Sequence, residues 1–330
     1  LRNSVHYRIS NATRTLRERQ YVFTGEGSDY DSLGNFVDGR GEYEPVTVPG
    51  SERPVTEVVA SAQVNWRPAQ LEGSGEKGWP DRFSSETFVK VDEKTTSADR
   101  RRVYLLDPGV LQNDATTLEG RFTFRQDVFL LPDQPAFSMR FRYERNNLTD
   151  NRFEGLYRDV DEGERRVVVR SSPREGFGLD VEYLNRRRRE DLEEGGAVQS
   201  EERRSHGLRI LMTAWLGARA KAALRSELED SRDRISDRKV RTVELEPRFT
   251  YSFLGKGRAE TAVTWRTASG DEQTGSFSRI AYAGRPGWEW RLSADYRVGK
   301  YVTASLTYTG SNLEGRDTIH SGKSEIRAYF

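Results

Sequence analysis

His6, His206 and His320 are the only imidazoles in this chain, and it has no cysteine. Any nucleophilic triad or zinc centre would have to be built on those three rings. Ser205 directly precedes His206, the two residue types of a hydrolase pair. Adjacent residues of an extended strand point to opposite faces, so these two cannot act together there. His320 lies between Ile319 and Ser321 at a strand start, and no nucleophile elbow or zinc spacing surrounds any of the three. Asp29, Asp31, Gly34 and Asn35 have the residue types of a calcium loop. Leu33, however, stands where an oxygen ligand is required, and Arg40 where a Glu is. The conformational needs of a turn account for these residues. The expectation is a protein that is not an enzyme and holds no cofactor and no metal.

The densest chemistry is ionic. Arg125, Arg140, Arg142, Arg219, Arg248, Arg291 and Arg297 share one strand parity with Asp127, Glu182, Glu244, Glu246 and Asp295. Both signs interleave, so neighbouring strands can pair them across one face. The favoured reading is a self-neutralising network that fills or narrows a lumen; the other is a charged constriction that selects solutes. The runs Arg186-Arg187-Arg188-Arg189-Glu190-Asp191 and Glu201-Glu202-Arg203-Arg204 flank one long polar link. They read as a solvated hairpin extension. The functional alternative is a contact for anionic lipopolysaccharide or a protein partner.

Alternation supplies the elements that must position these charges. Val58, Ala60, Ala62, Val64 and Trp66 recur at every second position, as do Phe122, Phe124 and Val128, and Phe137, Met139, Phe141 and Tyr143. Towards the C-terminus the same period runs through Val243–Phe253, Trp288–Val298, Val302–Tyr308 and Ile326–Phe330. That is the strand period. Weaker cases, among them 3–9, 87–91 and 166–170, bring the total to about fourteen strands of near ten residues. No amphipathic helix stands out.

A soluble sandwich would have strands of about 5–6 residues. These are longer, and their connections alternate. Short links at 131–135, 171–176, 217, 254–257 and 299–301 lie between long ones at 94–115, 145–164, 186–204, 230–239, 268–286 and 311–320. Tight turns on one side and long loops on the other are the arrangement of a transmembrane β-barrel. Trp66, Phe137, Tyr183, Phe253, Trp288 and Tyr296 end outward-facing runs, where an interfacial girdle needs aromatics.

Composition agrees once lipid is the solvent. Of 330 residues only 35% are hydrophobic and 32% are charged, whereas globular chains have roughly 45–50% apolar residues. A barrel requires only one apolar face. The net charge of +1 argues against a nucleic-acid partner, and 35 aromatics, counting 6 Trp, 14 Tyr and 15 Phe, argue against disorder.

The chain ends Ser-Glu-Ile-Arg-Ala-Tyr-Phe, with Ile326, Ala328 and Phe330 in alternation. In this it resembles Gram-negative outer-membrane β-barrel proteins, whose last strand finishes in an aromatic read by the assembly machinery. The resemblance implies an assembly signal at Phe330, Ala328 and Ile326, an outer-membrane location, and lipid and lipopolysaccharide as surroundings. The high arginine content departs from an open diffusion channel. Residues 56–330 are expected to form the barrel, and residues 1–55 a first strand with a Gly/Asp/Tyr-rich loop segment, or one continuous barrel 1–330. The start inside the alternating stretch Val5, Tyr7, Ile9 favours part of a longer chain. The 1–55 segment is similar to regions of large bacterial surface proteins with C-terminal barrels. The expected role is an anchor, an assembly component within a larger complex, or a narrow charged-lumen channel. The alternatives are a solute-selective porin and a soluble secreted β-sandwich or adhesin.

Overall fold

The computed structural model describes residues 2–32, 36–67, 82–107, 109–113, 115–153, 156–194, 197–235, 237–253, 255–270, 286–299 and 301–328. Fourteen strands account for nearly all of them: β1 (Arg2–Tyr30), β2 (Phe36–Trp66), β3 (Phe83–Thr95), β4 (Thr117–Leu130), β5 (Phe137–Phe153), β6 (Leu156–Arg174) and β7 (Phe177–Glu194). They continue with β8 (Ala197–Leu216), β9 (Ala220–Asp233), β10 (Lys239–Phe253), β11 (Gly257–Gly270), β12 (Gly287–Arg297), β13 (Val302–Leu313) and β14 (Ile319–Ala328). One short helix, α1 (Arg100–Tyr104), sits between β3 and β4. The strands pair antiparallel in sequence order, an all-β meander curled into a barrel.

Apart from the β2–β3 link between Trp66 and Phe83, short turns join one set of ends. Gly176, Gly217 and Gly255 take positive φ there (79°, 74° and 67°), a conformation a side chain resists. At the opposite ends the strands run on beyond the expected ten residues. Positions 145–164, read from sequence as a loop, are mostly strand in β5 and β6, and β7 and β8 form an extended hairpin across 186–204 where the charge runs were read as a hairpin extension. Cross-strand ion pairs stabilise these extensions, among them Arg145–Asp161 (3.1 Å) and Arg158–Glu190 (2.8 Å).

Residues 11–30 and 36–55, read as a loop segment, lie in β1 and β2, and β2 runs unbroken through position 55. A register shift between Thr15 and Arg17 bends this hairpin, and Arg17 then pairs in parallel with Phe153 at the far end of β5. The Arg17 guanidinium lies 5.8 Å from the Phe153 ring. Leu16, Val55 and Leu118 bury one another beneath the bend. The sheet therefore curls far enough for β1 to meet a strand four positions away. Of the suggested calcium loop, Gly34 and Asn35 lie outside the described residues, as does Phe330.

A barrel closed in lipid requires its last strand to pair with its first. Among the described residues no pairing joins β14 to β1. Both free edges are exposed, with Ile326 76% and Val5 79% accessible. Water can solvate an open edge, and only lipid forces its closure.

Candidate functional site

Strand register sorts the side chains onto two faces, because directly paired residues point the same way. One transverse row on the first face reads Val128, Phe141, Val167, Tyr183, Leu208, Leu228, Val243 from β4 to β10. Most of the large exposed hydrophobics of the chain share this face, including Phe249, Leu292, Tyr296 and Leu306. The apolar stretch covers about nine residues on β9 and eleven on β10 (220–228 and 243–253). A spanning strand needs about 9–11 residues. This is the outward face.

The other face carries the ions. Asp127 is only 1% exposed. It accepts two hydrogen bonds from Arg142, at 2.8 and 3.1 Å, and lies 3.3 Å from Arg125. Arg125 reaches on to Glu86 at 3.1 Å. The next row pairs Arg140, Val168, Glu182, Arg209, Glu227, Glu244 and Arg266 across β5 to β11. Arg209 donates to Glu227 at 2.9 Å and Arg266 to Glu244 at 2.7 Å, so the directly opposed carboxylates Glu227 and Glu244 are each held by the arginine on their other side. Arg248 donates to Glu246 at 2.6 Å. Arg291, Arg297 and Asp295 lie on the same face of β12 by register. Arg219 sits in the β8–β9 turn rather than on a strand, and from there it lines the same cavity as Lys221, Arg225 and Arg248. A charge beside Gly217 belongs to the turn whatever its parity.

Neutralisation is uneven along the axis. Towards the short turns a cavity of about 480 Å³ is lined by Arg219, Lys221, Arg225, Arg248 and Arg258, with Glu246 the one carboxylate among its lining residues. Further up, a cavity of about 500 Å³ is lined by Glu246, Glu260 and Glu289 with Arg248, Arg266 and Arg291. Arg225, Arg248 and Arg258 are ion-paired with Glu227, Glu246 and Glu260, so the cation excess at the turn-side end rests on Arg219 and Lys221.

Ser205 and His206 lie on opposite faces, as their adjacency in β8 requires. His206 is outward and shares a 3.1 Å hydrogen bond with the Tyr183 hydroxyl; His320 does the same with Tyr308 at 2.7 Å. These rings extend the upper aromatic rim and face no nucleophile. Among the described residues, no group of three or more His, Asp or Glu side chains converges on a metal position.

Two features are invisible to strand parity. The β3–β4 connection folds back over the outward face, where Val103 and Val110 bury Val58 alongside Ile9 and Leu106. The Tyr7 hydroxyl donates to the Tyr104 carbonyl at 2.8 Å, and Leu105 is left 71% exposed. The same connection encloses Glu93, which is 1% exposed on the outward face of β3. Glu93 accepts from the Gln112 N–H at 2.9 Å and the Thr117 hydroxyl at 2.8 Å. Burial raises its pKa above the usual carboxylate range, and those two bonds offset only part of the rise. On the projecting β7–β8 hairpin, burial would raise Glu202. The Arg204 hydrogen bond and the charges of Arg187, Arg204 and Arg234 outweigh it and lower the pKa.

No protein-family profile and no curated protein matches the chain. Among solved structures, the TodX monoaromatic hydrocarbon channel deltaS2 mutant aligns over 84% of each chain at 10% identity, with a TM-score of 0.29. A likeness at that level has no bearing on function.

Proposed function

We propose that this chain is an integral outer-membrane β-barrel that anchors long charged hairpins at the bacterial surface around a narrow, ion-paired lumen. One observation carries the reading: a continuous exposed apolar face on the same strands whose opposite face is an ionic network. Monomeric soluble proteins rarely expose an apolar patch larger than a few hundred Å², whereas a lipid-facing wall requires one. The assembly machinery of the outer membrane would recognise the last strand through Ile326, Ala328 and Phe330. The β1–β2 hairpin, meeting β5 above the inward Leu16–Val55–Leu118 cluster, supports a restricted mouth. No catalysis is part of this role.

A second reading, a solute-selective porin, rests on the cation-rich cavity at the turn-side end. Planar-bilayer recording of purified protein separates the two. The anchor reading expects silence or small, brief steps. Sustained large steps with anion preference would replace it with the porin. Retention in the aqueous phase without detergent would overturn both in favour of a soluble β-sandwich or adhesin.

A further inference from the structure

Immediately above the apolar band, six consecutive strands carry an arginine within the first two outward positions beyond their last apolar residue. They are Arg145 above Tyr143 on β5, Arg165 above Val167 on β6, Arg187 above Tyr183 on β7, Arg204 above Leu208 on β8, Arg232 above Leu228 on β9 and Arg241 above Val243 on β10. The first strand before this series and the first after it have no such arginine: Phe122 and Ser269 occupy the outward face there. Five of the six arginines are exposed and Arg204 is half-buried.

Register sharpens the pattern. Arg187 pairs directly with Arg204, Arg204 with Arg232, and Arg232 with Lys239. Strands lie about 4.8 Å apart, so four cations stand in a line of about 15 Å. Like charges directly opposed destabilise a sheet unless an anion lies between them. The protein supplies too few. Glu202 is shared by Arg187 (3.3 Å), Arg204 (3.1 Å) and Arg234 (3.5 Å). Asp230 takes Arg241 at 2.6 Å, and Asp237 takes Arg232. Arg187, Arg204, Arg232, Arg234 and Arg241 thus share three carboxylates, an excess of two cations. A groove of about 560 Å³ opens among Arg204, His206, Arg232, Lys239 and Arg241.

We infer that this belt binds the phosphate groups of an anionic glycolipid, the lipopolysaccharide class, whose acyl chains lie on the apolar wall directly beneath it. The inference rests on the membrane reading above and adds a site to it. Guanidinium groups match phosphate oxygens in paired hydrogen bonds. Continuity with the apolar band selects a lipid over a free anion, because only a lipid fills both surfaces at once. The side of the long connections is the outer one in such barrels, where this lipid resides.

The test titrates refolded full-length protein in detergent with purified lipopolysaccharide, with phosphatidylcholine and inorganic phosphate as separate probes, read by native mass spectrometry. R187Q/R204Q/R232Q changes the outward belt; R188Q/R203Q changes the inward face at the same height. Heat-modifiable gel mobility certifies that both variants fold. At least tenfold weaker lipopolysaccharide binding in the outward variant is expected, with wild-type binding in the inward one and no displacement by phosphate. Equal binding in both variants overturns the site, and displacement by millimolar phosphate overturns its lipid occupant. Failure of the wild-type protein to float with lipid vesicles would instead remove the membrane reading beneath it, whatever the binding result.

Discussion

Leu306 and Ser305 are neighbours on β13, and register assigns them to opposite faces of the wall. Leu306 pairs with Ala294 and Ser324 on the apolar side, and Ser305 with Asp295 and Glu325 on the ionic side. The consequence of a new charge therefore depends on which of two adjacent residues receives it. Leu306→Arg or Leu292→Arg would place a guanidinium in lipid, at a cost of about 2–4 kcal/mol near the midplane. Ser305→Arg or Ser293→Arg would add a cation beside Asp295 and Glu325, or beside Glu260, where a carboxylate can meet it. Urea unfolding in lipid vesicles is expected to show the first pair strongly destabilised and the second nearly unchanged. Equal losses at both parities would mean two buried faces and a sandwich.

At the scale of elements, the β3–β4 connection is the piece whose energetics depend on pH. Glu93 is buried beneath it with a raised pKa. For a carboxyl whose folded pKa exceeds its unfolded value, the folded state binds the extra proton between the two. Stability therefore falls as pH rises through that window from about 4.5 upward, and is regained on acidification. Glu93→Gln keeps one oxygen to accept from the Gln112 N–H, turns its NH2 to donate to the Thr117 hydroxyl oxygen, and cannot ionise. Proteolysis within 97–113, measured at pH 5 and pH 7.5, should distinguish the two proteins: wild type is cut faster at pH 7.5, and the variant equally at both. A wild-type profile retained by the variant would acquit Glu93. The sequence could not reveal this element, because Val58 meets Val103 and Val110 only after a separation of about half a hundred residues has been closed. Alternation such as Trp288–Tyr296 is legible because each residue's face depends only on its immediate chain neighbours. The upper halves of β5 and β6 were hidden for the opposite reason. Both of their faces are polar, so no alternation marks them, and what holds them as strands is pairing such as Arg158 with Glu190 across the ladder. The inward network was readable as parity, but its rows, such as Arg209–Glu227–Glu244–Arg266, needed the register.

For the whole molecule, the seam between β1 and β14 decides whether fourteen strands suffice. An even number of antiparallel strands makes β14 run opposite to β1, so the first residues of β1 and the last of β14 lie at the same, turn-side end. Along a free edge of ten residues about half the backbone N–H and C=O groups point into the gap. In lipid each unpaired group costs several kcal/mol. The open seam would then cost tens of kcal/mol, against a total stability of about 5–15 kcal/mol for a typical domain. No membrane-inserted form can leave it open. Either β1 zips to β14 on insertion, or strands from another chain fill the gap; the matched exposed apolar residues Val5 and Ile326, both on the outward face, favour direct closure. The chain has no cysteine, so engineered thiols have no background. Single cysteines at Val5, Tyr7 or Ile9, combined in turn with cysteines at Gly322, Ser324 or Ile326, sample the registers. Oxidation of the protein in vesicles is expected to link at least one combination within a single chain, and to link none of them in urea. Protein that inserts and stays heat-modifiable yet forms no intrachain link in any register would exclude a self-closed fourteen-stranded barrel and require a partner's strands at the seam.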